Sequence, residues 1–169
     1  MDPIGKSPVP VPILVLGKLS VAACWLFFLV RTLGIDTMLY DSPVTQLLGI
    51  VFVVTGFVLL TLGFIYLGRS VSVGFPEEKT ELKTRGVYRI TRNPMYFGGF
   101  LVCIGSCLIS IHPVNFLLCA IAIGIHHVIV TREEQFLEKR FGERWLEYKR
   151  RVPRYIGLPN STTAKQISV

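Results

Sequence analysis

An all-α, polytopic membrane fold, with about four spanning helices and a C-terminal amphipathic helix at the interface, follows from three observations. Val44 to Gly68 contains no Asp, Glu, Lys or Arg, and neither does Met95 to Thr131. A run of roughly 20 apolar residues crosses the hydrocarbon core as a helix. The mean hydropathy of +0.53 is high for a soluble domain. The basic residues behind the net charge of +7 gather in two places, Arg69 to Arg92 and the tail after Thr131. At 169 residues the length fits one domain, 1–169.

The first span is 13–30, after a proline-dotted stretch expected to lie extended along the surface. Lys18 lies inside it and must reach the interface along its own stem. A cleaved signal peptide is the competing reading, but the stretch lacks a basic n-region and a small-residue cleavage site. The second span, 44–68, carries Gly49, Gly56 and Gly63 at every seventh position, along one slowly drifting helix face. In lipid such small residues let two backbones approach closely, so this face is expected to pack on another helix.

The third and fourth spans, 95–111 and 114–131, are joined by the turn at His112-Pro113, short enough to force an antiparallel hairpin. Beyond Thr131, Leu137, Phe141, Trp145, Tyr148 and Val152 recur at three- and four-residue spacing, with charges on the other faces. They describe an amphipathic helix interrupted at Gly142 and stopped before Pro153. Cys24, Cys103, Cys107 and Cys119 all fall in apolar runs without zinc-type spacing, so they read as buried small hydrophobes and no metal is expected.

Basic loops face the cytoplasm in membrane proteins, and four spans return the chain to its starting side. Both termini and any site at the charged end are therefore expected there. Glutamates interspersed with the basic residues argue against nucleic acid as partner; the bilayer is the expected one.

The stretch Gly86 to Gly99 carries the most local chemistry. Pro94 suits the first turn of a helix, and Asn93 is placed to cap it. The helix start and the planar fork of Arg92 then favour an anionic ligand group. Tyr88 and Tyr96 flank the turn, and Gly98-Gly99 leaves room for a ligand or a neighbouring helix. The hairpin brings Arg132, Glu133 and Glu134 to the same level as Pro94. His126 and Glu133 share a helix face, as do His127 and Glu134, each pair being seven apart. Walker, GxGxxG, HExxH and GxSxG motifs are absent from the sequence, so a cofactor would have to bind among the helices.

From Thr80 to Ile156 the chain resembles the membrane methyltransferases that include isoprenylcysteine carboxyl methyltransferases and phospholipid methyltransferases. The resemblance rests on Glu81-Leu82, Gly86-Val87-Tyr88, Arg92 through Tyr96, Glu133-Glu134, and Phe141-Gly142-Glu143 through Tyr148 to Pro153. It implies S-adenosylmethionine as methyl donor, held by elements 76–96 and 132–156. The implied cofactor positions are Thr80, Glu81, Leu82, Lys83, Tyr88, Asn93, Pro94, Met95, Tyr96 and Glu133. Arg92, Arg132 and Glu134 are the expected catalytic set, positioning donor and acceptor. Carboxyl methyltransferases usually carry His where Asn93 stands and an arginine where Ile129 stands. The acceptor, a lipophilic or small thiol, carboxylate or lipid amine, thus stays open. The alternatives are a sterol-reductase-like NADPH-dependent reductase and a non-catalytic scaffold.

The topology is directly testable. Tags at Met1 and Val169 are expected to report from the cytoplasmic side in a protease-protection assay; opposite sides would mean that one span, foremost 13–30, is misread.

Overall fold

The computed structural model describes residues 10–35, 39–67 and 82–156. Five α-helices follow in order, with no strand among the described residues: α1 (Val11–Thr32), α2 (Pro43–Leu67), α3 (Pro94–Ile109), α4 (Pro113–Phe141) and α5 (Glu143–Arg151). A 3₁₀ turn, Gly86–Arg89, precedes α3. Pro opens or nearly opens α1, α3 and α4, where its missing N–H removes no helical bond.

Three helices, α1, α2 and α4, are long and apolar enough to cross a membrane. The expected count is about four, and the remaining apolar run, 95–111, forms a shorter helix. The third, α3, has 16 residues, about 24 Å at 1.5 Å per residue, short of a hydrocarbon core of about 30 Å. Pro94 fixes its start, one residue before the expected 95, and the Ser110-to-Pro113 turn ends it two residues short of 111. By contrast α4 runs unbroken for 29 residues and carries Glu133 and Glu134 on the same rigid rod as the apolar run.

The most extensive helix contact is α2 on α3; α1 packs on both α3 and α4, and α4 also on α3. The seventh-residue glycines make the first contact possible. A Cβ on Gly49 would come within 2.8 Å of the Gly105 carbonyl oxygen, and one on Gly56 within 2.6 Å of that of Gly98. On Gly63 it would reach Met95. Gly98 and Gly105 reciprocate against the carbonyls of Gly56 and Gly49. The pattern is thus a helix-packing seam, as its spacing predicted. Of the Gly98-Gly99 pair, Gly98 belongs to this seam and Gly99 faces open space.

Where α1, α3 and α4 meet, Cys24, Cys103, Cys107, Cys119 and Ala122 form one buried cluster. All four thiols are free. A polar stitch runs beside them: Asn115 donates to Ser106 Oγ and to the Ser110 carbonyl, both at 3.2 Å, and Ser106 donates to the Cys24 carbonyl. Polar glue of this kind satisfies buried groups that lipid cannot. Many apolar side chains of α2 point outward, among them Leu47, Val51, Val54, Phe64 and Ile65, as expected of a lipid-facing surface. Lys18 is exposed on the outer side of α1.

The two ends of the bundle differ. At one end Leu39 N–H donates to the Ile111 carbonyl at 3.0 Å, joining the α1–α2 connection to the α3–α4 turn. His112 accepts from Val114 N–H there and so caps α4. At the other end lie the 3₁₀ turn, the start of α3, the end of α4, and α5. Gly142, at φ +54°, breaks α4 from α5 in a conformation that a side chain would strain. The apolar face of α5 closes on the protein: Trp145, Tyr148 and Val152 are buried against Leu82, Leu137 and Phe141.

The seam yields a paired prediction. Gly56→Ala places a methyl against a backbone carbonyl, and overpacking of this kind costs about 1–3 kcal/mol. Gly99→Ala, facing open space, is expected to leave thermal stability in detergent unchanged or slightly raised. Equal midpoints for the two variants would remove the seam from the stability of the bundle.

Candidate active site

The charged end of the bundle is organised around one buried carboxylate. Glu134 has 4 % of its side chain exposed and Arg92, its partner at 3.3 Å, has 6 %. Arg154 donates to Glu134 Oε2 through Nε at 3.0 Å and through a terminal nitrogen at 2.8 Å. Asn93 donates to Glu134 Oε1 at 3.0 Å and to the Arg154 carbonyl at 3.3 Å. Two guanidinium groups and an amide therefore share both carboxylate oxygens. Burial lowers the Arg92 pKa from its ordinary value, and the charge of Glu134 opposes that shift. The hydrogen bonds that Arg154 donates to Glu134 raise its own pKa.

Backbone bonds extend the joint. Arg92 N–H donates to the Pro153 carbonyl at 3.0 Å, and Thr91 Oγ1 to the Arg154 carbonyl at 3.0 Å. The Arg92 guanidinium lies 5.6 Å from the centre of the Trp145 ring. Tyr148 donates its hydroxyl to the Tyr88 carbonyl at 2.7 Å, and burial pushes the Tyr148 pKa up. The segment after α5 is thereby strapped across the turn that starts α3. Asn93 stands at the N-cap position but makes no side-chain cap bond. This corrects the capping expectation: its amide turns instead to Glu134, a stronger, charged acceptor.

Beside this joint, Tyr96 on α3 donates to Glu133 Oε1 on α4 at 2.8 Å. The antiparallel hairpin sets these side chains face to face, as the shared level of Pro94 and Glu133 predicted. Glu133 Oε2 has no hydrogen-bond partner among the described residues. Burial, and then the charge of Glu133, push the Tyr88 phenol up to about 12, so it stays protonated at neutral pH. The His126 ring lies 6.0 Å from that of Tyr96, and its Nδ1 bonds the Ala122 carbonyl at 2.8 Å. His127 Nδ1 is 3.1 Å from the Tyr155 hydroxyl. The Tyr155 ring also meets Phe97 and Phe100, with centroids at 6.2 and 5.3 Å.

The structure thus brings together Arg92, Asn93 and Glu134 in one cluster and Tyr96 and Glu133 in another. Pro94 is buried at the head of α3, and Met95 packs beside Gly63. Leu82 packs against the α5 core, and Lys83 is half-buried near it in sequence. Arg132 is exposed, apart from the Glu134 cluster. Thr80 and Glu81 lie outside the described residues. Arg154 and Tyr155 were not singled out from the sequence. In a tail that also holds Arg150 and Arg151, nothing local separates the arginine that turns inward from those that face water.

The buried pair carries a prediction. Glu134→Ala leaves Arg92 buried without its counter-charge, and breaking a buried pair from one side costs about 3–5 kcal/mol. A large drop in the unfolding midpoint in detergent is expected. A loss below about 1 kcal/mol would make the cluster equivalent to a solvated surface pair.

The phospholipid methyltransferase family matches residues 44–144. Protein-S-isoprenylcysteine O-methyltransferase B of Arabidopsis thaliana is 31% identical over 111 residues, 62% of this chain and 55% of that protein. The Xenopus laevis protein-S-isoprenylcysteine O-methyltransferase is 30% identical over 145 residues, 83% of this chain and 49% of its own. For the Homo sapiens protein the identity is 34% over 115 residues, 66% of this chain and 40% of that one. The chain spans about half the length of the curated relatives it matches. The family match covers α2, α3, α4 and the facing Tyr96–Glu133 pair, and this chain belongs to the phospholipid methyltransferase family.

Proposed function

We propose that this chain is a membrane-embedded methyltransferase that takes S-adenosylmethionine at the charged end of the bundle and a lipophilic acceptor from the bilayer. The observation that carries this reading is the Tyr96–Glu133 hydrogen bond between facing helices, set beside a turn locked by Glu134. Glu133 Oε2, which has no hydrogen-bond partner among the described residues, suits a ribose hydroxyl, which needs an acceptor. Thr80, Glu81, Leu82, Lys83, Tyr88, Asn93, Pro94, Met95 and Tyr96 complete the proposed donor set. When bound, S-adenosylmethionine supplies a methyl group on a sulfonium that is already an activated leaving group.

The residues then have mainly to position and to exclude water, because in-line displacement from an activated donor depends on geometry. Glu133, oriented by Tyr96, holds the ribose side. Arg132, exposed at the same mouth, is assigned the donor's carboxylate. Arg92 and Glu134 act as positioning residues, since both are already bonded to each other and keep Asn93 and the start of α3 in register. Both termini and the site face the cytoplasm in this reading, in line with the basic residues at this end.

The relatives' names point to a prenylated cysteine as acceptor, whose carboxylate would take the methyl group. In this chain Ile129 is buried at 3 % exposure where those enzymes usually carry arginine, which favours an acceptor other than a carboxylate, such as a lipid amine or a thiol. A transfer assay with labelled S-adenosylmethionine, run in liposomes over prenylcysteine, phosphatidylethanolamine and an alkyl thiol, tests this. Methylation of at least one is expected; binding of NADPH in place of S-adenosylmethionine would turn the reading to a reductase.

The donor site has its own test. Glu133→Gln keeps the shape of the side chain and removes its charge. A tenfold or greater loss of donor affinity by calorimetry is expected, about 1.4 kcal/mol, with the unfolding midpoint unchanged. Unaltered affinity would leave Glu133 only a structural partner of Tyr96.

A further inference from the structure

Between the stretch 82–89 and α5 the protein has an open cleft of about 460 Å³, within the size range of ligand pockets. Its floor is apolar, made by Leu82, Tyr148 and Val152 of the α5 core. Its rim is basic: Arg89 comes from the 3₁₀ turn, Arg144 and Arg151 from α5, and Thr84 adds a hydroxyl. Arg151 is paired with Glu147, one turn before it. Arg89 and Arg144 are exposed and make no ion pair or hydrogen bond with any described residue. Among the described residues, three guanidinium groups against one carboxylate leave an excess of positive charge along one space.

The level of the cleft matters as much as its charge. Arg89 lies five residues before the start of α3, and Arg144 two residues after the break that ends α4. Ile90, beside Arg89, is 66 % exposed. Basic residues at the cytoplasmic end of spanning helices, above apolar surface, meet lipid phosphates rather than bulk water. The planar fork of arginine matches a phosphate's paired oxygens, and a cleft that offers two such forks selects for phosphate over a single surface charge.

We propose that this cleft seats the phosphodiester of an anionic membrane phospholipid, with Arg89 and Arg144 as its two ligands and Thr84 as a third donor. The cleft borders the proposed methyl-donor set at Leu82, but its phosphate ligands Arg89, Arg144 and Thr84 lie outside that set, and the bound lipid anchors the α5 end of the bundle to the headgroup layer.

The test uses the full chain in detergent at fixed ionic strength. Dihexanoyl phosphatidylglycerol is titrated by thermophoresis, beside dihexanoyl phosphatidylcholine and inorganic phosphate. The wild type is expected to bind phosphatidylglycerol at least tenfold more tightly than either comparison. R89Q/R144Q is expected to lose that preference while keeping its unfolding midpoint and its affinity for S-adenosylmethionine; R89K/R144K, which retains the charge, is expected to fall between the two. Equal binding of phosphatidylglycerol by wild type and the glutamine variant overturns the proposal. So does inorganic phosphate binding as tightly as the lipid, which would make the ligand a soluble anion. Loss of S-adenosylmethionine binding in the glutamine variant overturns it as well, by giving the cleft to the donor.

Discussion

The buried carboxylate of Glu134 is the constraint on which the charged end of this protein depends. It sits at the end of a helix that has just left an apolar run, where an unpaired charge would be costly. Arg92, Asn93 and Arg154 supply that pairing from two other parts of the chain. One side chain therefore ties the start of α3, the end of α4 and the segment after α5 into a single joint. The Arg92–Pro153 and Thr91–Arg154 bonds are the backbone side of the same joint.

The joint would be of little use if α3 were free to slide. It is held along its length by the glycine seam with α2, where carbonyl oxygens sit so close to the facing glycines that no Cβ fits between them. Close backbone approach of this kind replaces the hydrophobic driving force that lipid removes. Because α3 is too short to span by itself, its position is set by that contact and by the polar stitch at Ser106 and Asn115. The level of Tyr96 relative to Glu133 follows from both. The position of the candidate donor site is thus decided by packing some distance away from it.

Two carboxylates adjacent in sequence consequently have different surroundings. Glu134 is saturated by two guanidinium groups and an amide and serves the architecture. Glu133, one residue earlier and on another face of α4, accepts one hydrogen bond, from Tyr96, among the described residues. A helix turns about 100° per residue, so neighbours cannot share a face. The assignment of a ligand role to Glu133 and a positioning role to Glu134 rests on that rotation.

Composition and periodicity were enough to determine the helical class, the positions of the apolar runs, the seam face of α2, the hairpin of α3 and α4, and the amphipathic character of α5. Each depends on local chemistry: uncharged length, glycine spacing, a proline turn, a repeat of apolar residues. The motif residues from Arg92 to Tyr96 and Glu133-Glu134 were legible as a group for the same reason. Their partners were not. That Asn93 would leave its cap position for Glu134, that Arg154 rather than Arg151 would turn inward, and that α3 would stop at Ile109 all depend on tertiary contacts. A side chain's choice between water, its own helix and a distant carboxylate is settled by which alternative is nearest once the helices have packed, and spacing along the chain carries no record of that distance.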